Sequence, residues 1–141
     1  MLLSRPAVHR TITVHGPRSA DDVWDRYVRP RRWPEWSPQI RSVRYPAETL
    51  APDTTGTVHG PAGLRVRFRI LHVDGTGPIR GWSWSVRALG VPLHLQHTVE
   101  PAGPGTRTAL TVRGFAPAVL LYLPIARLAL HRLTGTPHPR R

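Results

Sequence analysis

From Pro38 onward the chain alternates polar and apolar residues for roughly 75 positions, and this restricts its fold more than any other feature. The clearest stretch is LRVRFRILHV, residues 64–73. Leu64, Val66, Phe68 and Ile70 fall on one side of an extended chain, and Arg65, Arg67 and Arg69 on the other. Residues 40–48, 54–60, 79–89, 92–100 and 106–115 read as strands on the same grounds. Pro61 to Gly63, Asp74 to Pro78, Gly90 to Pro92 and Pro101 to Gly105 separate them as turns. Six successive strands with such short connections form an antiparallel meander. One face of that meander is apolar and must be covered.

The flanking segments differ in period. AVHRTITVH, residues 7–15, is a further strand, stopped by Gly16-Pro17. Ser19 followed by Asp22 reads as a capping box, and Asp21, Asp22 and Asp25 suit the positive end of a helix dipole. Ala20, Val23, Trp24, Tyr27 and Val28 share one helical face, and Pro30 ends the helix. Arg31 to Trp36 reads as a second short helical turn. From Pro117 to Leu133 the pattern is helical and apolar nearly all round, so this helix is expected to be covered on most sides, with Pro124 kinking or dividing it. Its most apolar part, residues 115–126, is too short to span a bilayer before Arg127, and reads as a core helix.

The expected architecture is α+β: a curved antiparallel sheet of seven strands around one long C-terminal helix, closed at one end by two short helices. Residues 1–135 form a single domain and 136–141 a disordered basic tail. The chain has 20 basic residues, all arginine, against 8 acidic ones, for a formal net charge of +12. This suits an acidic partner or an anionic surface, and also reads as the drift of a GC-rich genome. There is no cysteine, which excludes a disulfide framework and thiolate chemistry and fits the cytoplasm. MLLSRPAVHR lacks the apolar run of a signal peptide. No nucleophile elbow or phosphate-binding loop is present.

Three stretches resemble the START-like, or SRPBCC, superfamily, the polyketide cyclase/dehydrase and lipid-transport group: Ser19-Ala-Asp-Asp-Val-Trp24, Trp33-Pro-Glu-Trp36-Ser-Pro38, and His97-Thr-Val-Glu100 followed by Gly105-Thr106-Arg107. The resemblance covers residues 7–134 and implies the helix-grip fold, with a cavity between sheet and helix. It implies binding of a hydrophobic small molecule, a polyketide, aromatic or lipid-like compound, either with cyclisation or dehydration or as a non-catalytic carrier. Fold alone does not choose between these.

On that reading Val58, Phe68, Trp82, Trp84, Leu95, Leu110 and Val112 line the cavity from the sheet, with Leu120 and Leu123 from the helix. Val43 and Tyr45 join them, or Ser42 and Arg44 if the register shifts by one. Trp33 and Trp36 close one end, one plugging the interior and the other at the mouth. His97 is the sharpest polar candidate, either a general acid or base or a histidine satisfied by neighbouring polar groups. Tyr45 is the second, through its hydroxyl. His94 and His97 lie three apart on a strand and point to opposite faces, so no metal and no cofactor is assigned.

Arg65, Arg67, Arg69, Arg87, Arg107 and Arg113 have the opposite parity and stand on the outer face of the sheet. They read as a hydrated surface, or as a docking face for an acidic carrier protein. The stacking aromatics of a nucleic-acid platform are expected to face inward, which argues against that partner. The sequence leaves the oligomeric state open.

Overall fold

The computed structural model describes residues 7–135; the tail at 136–141, expected to be disordered, lies outside the described residues. The elements are β1 (Ala7–Gly16), α1 (Ala20–Val28), a 3-10 turn (Pro30–Arg32), α2 (Trp33–Trp36), β2 (Ser42–Arg44), β3 (Thr55–His59), β4 (Arg65–Asp74), β5 (Arg80–Ala88), β6 (Val91–Ala102), β7 (Gly105–Phe115) and α3 (Ala116–Thr134). The strands form one antiparallel sheet in the order β1-β7-β6-β5-β4-β3-β2. The expected meander runs from β2 to β7, and β1 returns to pair with β7 over its whole length.

Two strands depart from simple alternation. The strand expected over 40–48 shrinks to Ser42–Arg44, because Pro46 has no N–H to give the ladder with β3. In β4 the register against β5 shifts between Ile70 and His72. Phe68 and Ile70 face the core at even positions, and after the shift Val73 lies opposite buried Trp82 instead. The extra residue is a bulge, which increases the local twist and helps the sheet curl.

Helix α1 begins as its sequence suggests. The Ser19 hydroxyl accepts from the Asp22 N–H at 3.2 Å. Only half of the capping box forms, because the Asp22 carboxylate pairs with Arg18 at 2.5 Å. The far end of α1 explains the two tryptophans of α2. Arg29 is extended before Pro30, so the last carbonyls of the helix lack intrahelical donors. Trp33 Nε1 donates to the Tyr27 carbonyl at 2.8 Å, and Trp36 Nε1 donates to the Arg26 carbonyl at 3.3 Å. The Leu50 N–H takes the Val28 carbonyl at 2.9 Å. Both indoles therefore cap a helix while burying their rings.

Helix α3 follows β7 without a gap and runs unbroken across Pro124, where a kink or division is expected from sequence. Pro124 sits on the exposed side. The carbonyl of Leu120 that it leaves without a helical donor belongs to a residue 51% exposed to solvent. The helix lies over β1 and β7, with a smaller contact to β6. Val119, Ala126, Ala129, Leu130 and Leu133 are buried against the sheet. The expectation that α3 is covered on most sides is corrected: Leu120, Leu121, Ile125 and Leu128 are exposed. A helix packed on one edge of a sheet buries a single stripe, however apolar its remainder.

The end of α3 is tied down by Arg26 of α1, a buried arginine. Its Nη1 donates to the carbonyls of Leu133 at 2.8 Å and Arg132 at 3.2 Å. A cation at the negative end of the helix dipole adds to those bonds. Arg26→Ala should cost about 2–3 kcal/mol, since one buried and one partly buried carbonyl lose a charged donor. Urea denaturation should show a lower midpoint with unchanged slope; a midpoint equal to that of the unaltered protein would remove Arg26 from this role.

Candidate functional site

The half of the concave face that α3 does not reach is filled by rings. Trp33 of α2 reaches between β4 and β5, with centroids 5.1 Å from Trp84, 5.5 Å from Phe68 and 5.7 Å from Trp82. Tyr27 of α1 stands 5.6 Å from Trp82 and 5.5 Å from Trp36. The space where a ligand hollow is expected is occupied here by side chains in van der Waals contact.

His97 sits at the centre of this cluster, only 3% exposed. Its ring stacks on Trp82 with centroids 4.4 Å apart and 7° between planes. Trp84 Nε1 donates to its Nε2 at 3.1 Å. An imidazole that accepts at Nε2 while neutral carries its hydrogen on Nδ1, which then donates to the Tyr27 hydroxyl at 3.2 Å. Both nitrogens are thus engaged within the protein. Burial pushes the imidazole pKa down to about 3. His94, on the opposite face of β6, lies opposite Ser85 and Arg113. Burial, then Arg113 and His72, lower its pKa.

Tyr45 lies at the edge of the cluster, stacked on Phe68 at 5.9 Å and 16°. Its hydroxyl accepts from the Ala51 N–H at 3.0 Å and bonds the Thr54 hydroxyl. Thr54 passes its own hydrogen to the Ala51 carbonyl at 2.5 Å, so Tyr45 is the donor in the pair. The tyrosine therefore ties the β2–β3 connection.

Of the other residues expected to line a cavity, Val58, Phe68, Trp82, Trp84, Leu95, Leu110 and Val112 all face the core and are buried. Val43 and Tyr45 are packed against it, while Ser42 and Arg44 are exposed, which decides the register left open in the sequence. Trp33 and Trp36 are both buried, so neither stands at a mouth. Leu123 is partly buried, and Leu120 points away from the interior. Tyr27 belongs to the cluster and had only its place on the apolar face of α1 to announce it. The Trp82 indole N–H is buried without a hydrogen-bond partner among protein groups.

The depressions found lie at the surface. One, of about 840 Å³, is lined by Tyr45, Pro46, Gly56, Phe68, Val86 and Pro92 together with Arg44, Arg67, Arg69 and Arg87. Arg67 and Arg87 face each other directly across β4 and β5. Arg69 pairs with Asp53 at 2.9 Å, whereas Arg44, Arg67 and Arg87 have no carboxylate within 4.0 Å among the described residues. Like charges placed opposite in a sheet repel, and an anion between them relieves that repulsion. The cleft therefore sets unneutralised positive charge beside Pro46 and Pro92 on the outer face of the sheet. A second depression, of about 330 Å³, adjoins it at Ser42, Val43, Arg44 and Tyr45.

A curved seven-stranded sheet closed by a long C-terminal helix, with two short helices after the first strand, is the helix-grip fold. The chain belongs to the polyketide cyclase/dehydrase and lipid transport family, whose match extends over residues 5–133. No curated protein matches it. Among solved structures it is similar to hypothetical protein jhp0584 from Helicobacter pylori, with a TM-score of 0.71 at 14% identity, covering 93% of this chain and 87% of that one. It is also similar to Ara h 8.0201, at 0.69 and 13% identity, covering 91% and 98%. Protein MLL2253 from Mesorhizobium loti gives 0.71 and 15%, covering 88% and 93%. At such identities these likenesses concern the fold alone.

Proposed function

We propose that the protein binds an amphipathic small molecule, apolar over most of its length with an acidic group at one end, and holds it without chemistry. The observation that carries this reading is the cleft on the arginine-bearing outer face of the sheet. Its volume lies within the range of small-molecule sites, about 300–1,000 Å³. Its lining supplies Pro46 and Pro92 for an apolar body and Arg67 and Arg87 for a carboxylate. Membership of a family described by cyclisation, dehydration and lipid transport agrees with a hydrophobic ligand. A carrier is favoured over a catalyst because His97 and Tyr45, the two candidate catalytic groups, spend their polar atoms within the protein. The acidic carrier protein expected as a partner has no support beyond the charge of the sheet face.

Calorimetric titration with dodecanoate and with dodecanol tests the reading. Dodecanoate should bind the more tightly. Arg67→Ala with Arg87→Ala should weaken dodecanoate by about tenfold to a hundredfold and leave dodecanol unchanged. Failure of both probes to bind, or dodecanoate binding that ignores the double substitution, would reject the site.

A further inference from the structure

We propose that the outward face of α3 docks the protein on an anionic lipid surface, lying along it without crossing. Six large hydrophobic side chains are exposed among the described residues, and four of them, Leu120, Leu121, Ile125 and Leu128, belong to this helix. At 100° per residue they fall within a single arc that also takes in Pro124. A soluble surface has little reason to gather its exposed leucines onto one helix, and a contiguous apolar face of this kind marks an interaction site.

The occupant is identified by charge. The helix contains no acidic residue. Arg127 lies on the exposed side beside the leucines, and His131 and Arg132 follow one turn later, also exposed. Neither arginine has a carboxylate within 4.0 Å among the described residues. The chain as a whole carries +12. A second copy placed on this face would bring two such charges together, whereas an anionic bilayer attracts both the helix and the protein behind it. Apolar side chains on the outer face with arginine beside them are the composition of an interfacial helix.

The helix is long and apolar enough to cross a membrane by length and composition, yet only 28% of its most apolar window is buried within the protein. Spanning is opposed by the packing of Val119, Ala126, Ala129, Leu130 and Leu133 on the sheet and by the hold of Arg26 on its last carbonyls. Insertion to the depth of one side chain leaves all of these contacts in place. The inference stands whether or not the cleft binds a small molecule.

Sedimentation of the full chain with vesicles tests it. The protein should pellet with phosphatidylcholine vesicles that contain phosphatidylserine and stay in solution with phosphatidylcholine alone. Leu121→Ser with Leu128→Ser should reduce the partition at least about tenfold, because two leucines no longer leave water. Both positions are exposed, and unchanged circular dichroism and unfolding midpoint will verify that the fold survives. Raised salt should release the unaltered protein. Three results would overturn the proposal. The protein fails to pellet with either vesicle. The double variant pellets as well as the unaltered protein, which places binding on the arginine face of the sheet. Or the unaltered protein forms a dimer in solution that the double variant abolishes, without vesicle binding, which makes a second copy the occupant.

Discussion

Trp33→Ala should lower the free energy of unfolding by about 3–5 kcal/mol, the range for removing a large buried ring. A domain of ordinary stability, about 5–15 kcal/mol, is left close to its threshold by such a loss. Three effects add. The side chain is 1% exposed, so its whole apolar surface returns to water in the unfolded chain. Phe68, Trp82 and Trp84, all with centroids within 5.7 Å, lose contacts across the space it leaves. The Tyr27 carbonyl loses the donor that caps α1. Trp33→Phe separates these effects: it keeps much of the packing and loses the N–H, and should cost less than half as much. Urea denaturation of the three proteins gives the comparison. If the alanine variant folds, its unfolding midpoint should rise when indole is added, since an apolar void of this kind accepts an apolar guest. A loss below about 1 kcal/mol for the alanine variant would mean that the ring cluster already contains empty space.

The second large effect is a pH dependence centred on His97. The unfolded chain takes up a proton at this residue near pH 6.5, and the folded chain does so only near 3. The folded pKa is depressed for a group whose charged form is the protonated one. Its contribution to stability is therefore complete above about pH 6.5 and declines as the pH falls towards 3. The slope is about 1.4 kcal/mol per pH unit within that window. The geometry supplies the cause: a proton added at Nε2 would face the Trp84 N–H, and water does not reach the ring. His94, also shifted down, adds a smaller loss of the same sign. Asp25, held low by Arg29 and Arg32, adds its own only below about pH 4, where carboxylates titrate in the unfolded chain. His97→Phe keeps a ring against Trp82 and cannot be protonated. It should flatten the dependence between pH 4.5 and 6.5 while costing about 1–3 kcal/mol at pH 7.5, where Trp84 and Tyr27 lose their partner. Equal slopes for the two proteins would show that the folded cluster accommodates the charge.

Much of the fold is legible in the sequence because it rests on local physics. The parity of Phe68, Trp82, Trp84, Leu95 and His97 reports which face of a strand is buried, and all five lie inside. Ser19 caps α1 because a hydroxyl three residues before a free N–H suffices. The candidate site is less legible, because its contents depend on elements far apart in the chain. Tyr27, Trp33, Trp82 and His97 meet only after α1 and α2 dock on the sheet. The cleft needs the pairing of Arg67 with Arg87 across two strands.

Alternation of side chains along each strand, and the prolines and glycines between strands, determined a meandering sheet, a closing helix and the residues facing inward. The tertiary structure alone decided what fills the interior and what stays uncovered. α3 leaves β7, the strand next to the β1 edge of the sheet, and reaches only β1, β7 and part of β6 among the strands. The remaining concave surface fell to Trp33 and its neighbouring rings, and the outer leucines of α3 were left facing water. Hydrophobicity is a property of a residue, whereas coverage depends on which surface arrives beside it, and strand order settles that at a distance no local pattern records.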